Sequence, residues 1–347
     1  MASMESLGKK DNGPAIVAKG VSKTYDQRIK VDKKGYKHPT GQCYSCGEKI
    51  GNVTKCPKCS ARQDRVRALR SVSMQMSKGE VFTLLGPNGA GKTTFLRILC
   101  TQLMPSAGDA HILGDSVVND PKAVRENIAM VPQDAMAYSN YTPWDYAYYL
   151  SLLRGMDKET AKAKAEESLK AMLMWDLKDR PSQTLSGGEK RRGLIAAAIA
   201  SDAPVLMLDE PTSGLDAIGR RNVWSTLRDR AATGKTIILT THMMDEAEMV
   251  SDRLAIIDKG NLITVGTPEE IKKSIPYRYR VIAPENAIDR TRYPEVTKIG
   301  DRAVVYLESD EEAIEMVRDM LKKDVHAEAS PVTLEDAFVY LVGEAIE

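Results

Sequence analysis

Gly86-Pro-Asn-Gly-Ala-Gly-Lys92-Thr93 fits the pattern G-x-x-x-x-G-K-[ST], between an apolar run, Glu80-Val-Phe-Thr-Leu-Leu, and the helix-like KTTFLRILCTQL. No other stretch of the chain restricts its fold as strongly. The glycines let a loop wrap a phosphate with its backbone N–H groups pointing inward, where side chains would block the approach. In that setting Lys92 reaches the β- and γ-phosphates of a nucleotide, and the Thr93 hydroxyl binds Mg²⁺. An ordinary glycine turn would require neither the Lys-Thr pair nor a strand before it and a helix after it.

The surrounding residues supply the rest of an α/β layer structure. Val205-Leu-Met-Leu and Thr236-Ile-Ile-Leu-Thr are short and almost wholly apolar. Strands of this kind, separated by helical patterns, form a buried and mostly parallel sheet. Ala15 to Lys19 and Leu69 to Met76 alternate more, as half-exposed antiparallel strands do. Near Gly266, Thr267-Pro-Glu-Glu270 sets an N-cap Thr, a first-turn Pro and a Glu three residues after the cap, which starts a helix. That helix is expected to end the body. Arg280 to Ala283, Ala303 to Leu307, the amphipathic Glu311 to Leu321 and a last helix from about Thr333 then read as a small α+β unit.

Two further clusters carry chemistry. Asp209 and Glu210 end an apolar strand, where a buried sheet delivers side chains to a site at its carboxyl edge. Beside a phosphate loop, Asp209 can hold Mg²⁺ and Glu210 can polarise an attacking water; alone, the pair would also suit a helix cap or a solvated turn. Leu185-Ser-Gly-Gly-Glu189, followed by Lys-Arg-Arg and GLIAAAIA, is a second glycine-rich helix start and so a second anion site. One loop already cradles one nucleotide. The simplest use of the second is to cap the γ-phosphate of a nucleotide bound to another chain, although a Ser N-cap with two flexible glycines would serve for a lone helix.

The formal charge of +1 conceals a strong asymmetry. Gln27 to Arg70 holds twelve Lys/Arg against three Asp/Glu, whereas Tyr277 to the end holds nine against sixteen. A basic inset, a nearly neutral body and an acidic tail result, so bulk attraction to nucleic acid or membrane is excluded for the chain as a whole and left open for the inset. No apolar run approaches the ~18 residues of a membrane span, and the first dozen residues lack the apolar core of a secretory signal. A soluble, cytosolic chain is the expectation.

Four of the five cysteines fall in one window as Cys43-x-x-Cys46 and Cys56-x-x-Cys59. Two such knuckles supply four thiolates to a tetrahedral ion, and structural Zn²⁺ is the expectation, ahead of iron or a redox dithiol. Four protein ligands leave no open position for catalysis. The metal would fold an inset too small to bury a core, and zinc with four thiolates leaves that inset near about +7. Cys100, alone in FLRILC, reads as a small buried hydrophobe.

Taken together, these motifs resemble the ATP-binding subunit of an ABC transporter. In family order they are Tyr25, the loop at 86–93, Gln133 in Val-Pro-Gln, the signature at 185–189, the strand and acids at 205–210, Ser213-Gly-Leu-Asp216, and His242. The single cassette, the wording Thr-Ser-Gly-Leu-Asp and Glu-Lys-Arg-Arg, and the C-terminal Thr-Leu-Glu-Asp-Ala-Phe are most similar to the ABC-2 type export branch.

The resemblance implies a P-loop NTPase: a RecA-like core with an antiparallel edge sheet and a helical subdomain between Gln133 and the signature. The expected domains are an ATPase domain over 15–276 after a disordered 1–14 and before an α+β accessory domain at 277–347; the zinc-ribbon-like insertion at 27–66 departs from the family, which has only a short link between two strands there. The resemblance further implies that Tyr25 stacks on adenine, and that Gly86, Asn88, Gly89, Ala90, Gly91, Lys92, Thr93 and Thr94 hold the phosphates of ATP. Ser186, Gly187, Gly188 and Glu189 would cap a partner's nucleotide, with Glu189 standing where many relatives carry Gln. Mg²⁺ falls to Thr93, Gln133 and Asp209, and catalysis to Glu210, His242, Lys92 and Gln133.

Partners follow from the same resemblance. They are a second ATPase subunit, identical or not, and a separate membrane permease that would hold the chain on the inner face of the cell membrane. Tyr138, Tyr141, Trp144, Tyr146, Tyr148 and Tyr149 cluster where the family receives a coupling helix, although plain core packing would explain them as well. Two rivals stay open: a soluble ABC ATPase acting on nucleic acid or ribosomes through the zinc ribbon, and a switch in which zinc occupancy gates turnover. The basic inset would contact anionic lipid, an acidic permease loop or nucleic acid, or form a solvated basic face.

Overall fold

The computed structural model describes residues 13–26, 31–32, 35–36, 46, 48, 55–60, 65–135, 137–293 and 296–344. The expected disordered start lies, except for its last two residues, outside the described residues, as does Cys43. The chain divides into two compact units, residues to His242 with Ile257–Leu262, and Met243–Ile256 with Ile263 onward.

In the first unit β1 (Pro14–Asp26) runs antiparallel to β4 (Arg65–Ser77), with the two-residue strands β2 (Val31–Asp32) and β3 (Gly35–Tyr36) paired to each other in the inset. After β5 (Val81–Leu85) and α1 (Lys92–Leu99) come β6 (Ala107–Ile112), β7 (Asp115–Ser116), α2 (Pro121–Asn127) and β8 (Ile128–Val131). Three helices follow, α3 (Pro143–Leu153), α4 (Lys158–Ala171) and α5 (Gly187–Ala200), then β9 (Val205–Asp209), α6 (Ala217–Ala232) and β10 (Thr236–Thr241).

Two sheets result. The antiparallel one has the order β4-β1-β6-β7, and the parallel one sets β5, β10, β9 and β8 side by side. Every residue of β5, β9 and β10 is buried, which is why these strands read as continuous apolar runs and not as alternations. Register does the functional work. Thr241 lies opposite Leu85, Thr240 opposite Asp209, and Leu208 opposite Val131, so four strands end at one edge. The loops leaving that edge carry the glycines, the acids, Gln133 and His242.

Helices α3, α4 and α5 pack on one another. Helix α5 is buried almost continuously from Gly193 to Ala200, and its small residues permit that approach: a Cβ on Gly193 would stand 3.6 Å from Pro143. Cys100 is buried, as its apolar context predicts, and burial raises its thiol pKa far above the usual range.

The second unit contains α7 (Met244–Val250), α8 (Pro268–Ser274), and a four-stranded sheet ordered β14-β15-β13-β16. Strands β11 (Arg253–Asp258) and β12 (Asn261–Gly266) carry residues of both units. The sheet strands are β13 (Tyr279–Pro284), β14 (Val296–Ile299), β15 (Arg302–Leu307) and β16 (Glu328–Pro331). One face packs Val281, Ala283, Val305 and Leu307 on Ala313, Met316 and Met320 of α9 (Asp310–Lys322). Helix α10 (Leu334–Glu344) packs on α7 and α8, which groups those two helices with the α+β residues, while charge and motif patterns divide the chain near 276. The Thr267–Glu270 capping box forms as its spacing predicts.

Candidate functional site

The glycine-rich loop is held in a shape only glycine tolerates. A Cβ on Gly86 would lie 2.1 Å from the Ile257 carbonyl oxygen. Gly91 has φ +111°, and a Cβ there would fall 2.4 Å from the Ala68 carbonyl. Gly91 is also the N-cap of α1, and no side chain caps that helix. The first-turn N–H groups therefore face a cavity of about 280 Å³ lined by residues 88–94 with Ala68, Gln133 and Glu210. Lys92 is buried and its ammonium donates to the carbonyls of Gly86 (2.6 Å) and Pro87 (3.1 Å). Burial lowers its pKa, against the opposing pull of Glu210 and Asp209.

Across the cavity the acids are cross-tied. Asp209 is fully buried, and its Oδ1 accepts from Thr93 Oγ1 (3.1 Å) and Thr240 Oγ1 (2.5 Å). Its Oδ2 is buried and has no hydrogen-bond partner among the described residues. A carboxylate oxygen of that kind beside a Thr hydroxyl is the donor chemistry that suits Mg²⁺, so these residues fit the ion. Glu210 sits at φ +49°, with its N–H donating to Thr240 O (3.2 Å) and Thr240 Oγ1 (3.0 Å). Its Oε2 accepts from Gln133 Nε2 (3.1 Å), and its Oε1 lies 3.1 Å from His242 Nδ1. Lys92, Thr93, Gln133, Asp209, Glu210 and His242 are thus brought into one cluster.

The signature residues stand elsewhere on the same unit. Ser186 and Glu189 close a reciprocal capping box at the start of α5, Ser186 N–H donating to Glu189 Oε2 (2.7 Å) and Glu189 N–H to Ser186 Oγ (3.3 Å). Gly187 lines a different concavity, of about 470 Å³, with Ser213, Gly214, Lys190 and Gln133. Tyr25 is partly exposed near the end of β1, opposite Val66, with the Lys23 ammonium 5.3 Å from its ring centroid.

No sequence motif singles out Arg191, which reads as one of three basic residues after the signature. It is buried, and it donates to main-chain carbonyls of Pro132, Gln133, Asp209, Glu210 and Pro211. One signal was available: Arg191 stands four residues before Ile195 and eight before Ile199, both buried on α5.

In the inset, Cys46, Cys56 and Cys59 bring their sulfurs within 4.8 Å of one another, and Cys46 Sγ lies 3.7 Å from Cys56 Sγ. A tetrahedron with Zn–S bonds near 2.3 Å has edges of about 3.8 Å, so the three thiols fit the ion. The turn after Cys56, closed by Ser60 N–H to Cys56 O (2.9 Å), is the knuckle that C-x-x-C demands.

A third feature is an apolar groove of about 970 Å³ in the first unit, bordered by Tyr138, Tyr141, Tyr149, Leu153 and Leu194. Leu153 is 83% exposed and Tyr138 74%, so the aromatic cluster after Gln133 is in part surface and not core.

A phosphate loop, paired acids at a parallel-sheet edge, a glycine-rich signature helix and a three-helix subdomain define the ATP-binding cassette fold. Residues 69–213 match the family model described as ABC transporter. It is 38% identical over 209 residues to the daunorubicin/doxorubicin resistance ATP-binding protein DrrA of Streptomyces peucetius, a match covering 60% of this chain and 63% of that protein. It is 39% identical over 206 residues to ATP-binding cassette sub-family A member 17 of Rattus norvegicus, covering 59% of this chain and 12% of the rat protein. The chain therefore spans under two thirds of either relative. Its fold is similar to a solved dimeric bacterial ABC transporter cassette, with TM-score 0.58, 22% identity, and 73% and 98% of the two chains covered. Among the described residues no helix is long and apolar enough to cross a membrane.

Proposed function

We propose that this chain is an ATP-binding and hydrolysing subunit of an export-type ABC transporter, dimerising on ATP and driving a separate membrane permease. The observation that carries this reading is the single cluster of Lys92, Thr93, Gln133, Asp209, Glu210 and His242 around an uncapped helix start. Lys92 and the first-turn N–H groups hold the β- and γ-phosphates. Glu210, fixed between Gln133 and His242, accepts a proton as a water oxygen attacks the γ-phosphorus and the bond to the β-phosphate oxygen breaks, giving ADP and phosphate. Thr93 and the unpartnered Asp209 Oδ2 would hold Mg²⁺, which neutralises phosphate charge when bound. The DrrA-like relative, named for resistance, supports export, and the solved dimeric cassette supports pairing of two subunits.

The groove below Gln133 suits a helix of the permease, because its exposed Tyr and Leu side chains give an apolar, aromatic-rich contact surface next to a residue of the catalytic cluster. The inset is a structural Zn²⁺ module on Cys46, Cys56 and Cys59, with Cys43 of the first knuckle as fourth ligand by sequence. Two measurements test these readings. Glu210→Gln should bind ATP within about twofold of the natural protein while turnover falls about 100-fold or more, and unchanged turnover would refute the role. Elemental analysis of purified protein should give one zinc per chain, lost in Cys56→Ser; an iron spectrum or a metal-free chain would remove the zinc assignment.

A further inference from the structure

Arg191 stands on the second turn of α5 and reaches two separate parts of the site. Its Nη1 donates to Pro132 O (2.5 Å) and more weakly to Gln133 O (3.4 Å). Its Nη2 donates to Asp209 O and to Glu210 O (3.1 Å), and its Nε to Pro211 O (3.3 Å). Two of these carbonyls belong to the segment that presents Gln133, and three to the turn that presents Glu210. A guanidinium offers five N–H donors in a fixed plane, so one side chain can bind both segments at once; an ammonium on a flexible stem cannot.

The clamp falls where the backbone most needs holding. Glu210 is at φ +49°, a conformation that costs a residue with a side chain free energy and persists only when its surroundings over-determine it. Arg191 grips the carbonyls before, at and after that residue. The same α5 helix begins with the signature residues Ser186 and Gly187. A buried guanidinium whose hydrogen bonds go to neutral carbonyls is costly, and its donors are used where Gln133 meets Glu210.

We infer that Arg191 is a positioning residue for ATP hydrolysis, fixing the main chain of Gln133 and Glu210 so that the Glu210 carboxylate stands ready for the attacking water. It touches neither nucleotide nor water in this role, and it acts through Glu210. The inference rests on the hydrolytic reading above. It also ties the signature helix to the hydrolytic carboxylate within one chain, so displacement of α5 changes the setting of Glu210.

The test uses the full chain with Mg-ATP. Arg191→Met should lower kcat about 30- to 100-fold, and Arg191→Lys by less, while the ATP dissociation constant of each monomer stays within about twofold. Because Arg191 acts through Glu210, Arg191→Met should add under threefold to the loss already caused by Glu210→Gln in the double variant. Turnover within twofold of the natural protein, a loss that multiplies fully in the double variant, or ATP binding weakened in step with kcat would each overturn the proposal. Should Arg191→Met not fold, Arg191→Lys and Arg191→Gln carry the same comparison. Absence of ATP hydrolysis in the unaltered protein would instead refute the proposed function, and so separates the two failures.

Discussion

Two helices in this chain begin with glycine-rich turns, and they begin differently. Helix α1 starts at Gly91, left-handed and without a side-chain cap, its first-turn donors turned into a cavity with Lys92 beside them. Helix α5 starts at Ser186, inside a closed capping box whose Glu189 carboxylate accepts from the Ser186 N–H. The first is incomplete without an anion; the second is already satisfied and keeps only its glycine face free for one. The difference fits the proposed dimer: the first start would form a tight nucleotide site, and the second a conditional one, used when a neighbouring subunit brings a phosphate to it.

The largest effect should come from removing the cation of the first helix. Lys92→Ala is expected to weaken ATP binding to the monomer by about 100-fold, measured by isothermal titration, and an effect under tenfold would break the contrast. Next comes a pair of alanines at the two glycine turns. A Cβ at Gly91 meets Ala68 O at 2.4 Å at positive φ, whereas nothing lies within 4 Å of a Cβ at Gly187. Gly91→Ala should therefore lower the melting temperature by several degrees and weaken monomer binding about 30-fold. Gly187→Ala should leave both unchanged, cut turnover about tenfold in the otherwise natural protein, and weaken ATP-dependent dimerisation about tenfold, seen by size-exclusion chromatography in the Glu210→Gln background.

A smaller effect is expected from Glu189→Gln. The amide keeps an acceptor for the Ser186 N–H and removes a negative charge that faces an arriving phosphate, so the ATP concentration for half-maximal dimerisation should fall about two- to fivefold. An unchanged or higher value would mean that the carboxylate does not face the partner's nucleotide. The smallest effect concerns stability. The Ser186 backbone N–H, aided by the Ser186 hydroxyl and Arg192 and opposed by burial, holds the Glu189 carboxyl below its usual range. Such a group stabilises the fold above the ordinary carboxylate pKa of about 4.3, and the gain vanishes as pH falls through the lowered folded value. Urea unfolding should show the natural protein ahead of Glu189→Gln by less than about 1 kcal/mol at pH 7, and level with it at the acidic end.

Much of the first unit was legible because its chemistry is local in sequence. The strand, loop and helix around Gly86 to Thr93, the strand before Asp209, and the capping box at Thr267 all follow from neighbours within a few residues. Ser186-x-x-Glu189 carries capping-box spacing, and the glycines beside it equally suit an anion site, so the spacing alone does not decide between the two. Strands β14 and β16 were missed: β16 is short and largely exposed, and its pairing with β13 is a tertiary event. Arg191 was missed for the same reason, since its five carbonyl partners lie 18 or more residues away. Glu210 could be named from sequence; its left-handed backbone and the guanidinium that holds it could not.

The cysteine-bearing inset leaves and rejoins the body between Asp26 and Arg65, which face each other across the last rung of the β1–β4 ladder. Its two ends are therefore about 5 Å apart before any of its own residues are placed. The entropy of closing a loop rises only slowly with length, so a segment entered and left at one strand spacing can grow, shrink or be exchanged without disturbing the strands that bear it. Metal binding would then fold the graft from within, independently of the motor's core. A hairpin tip of this kind is a port through which one engine can be fitted with different attachments.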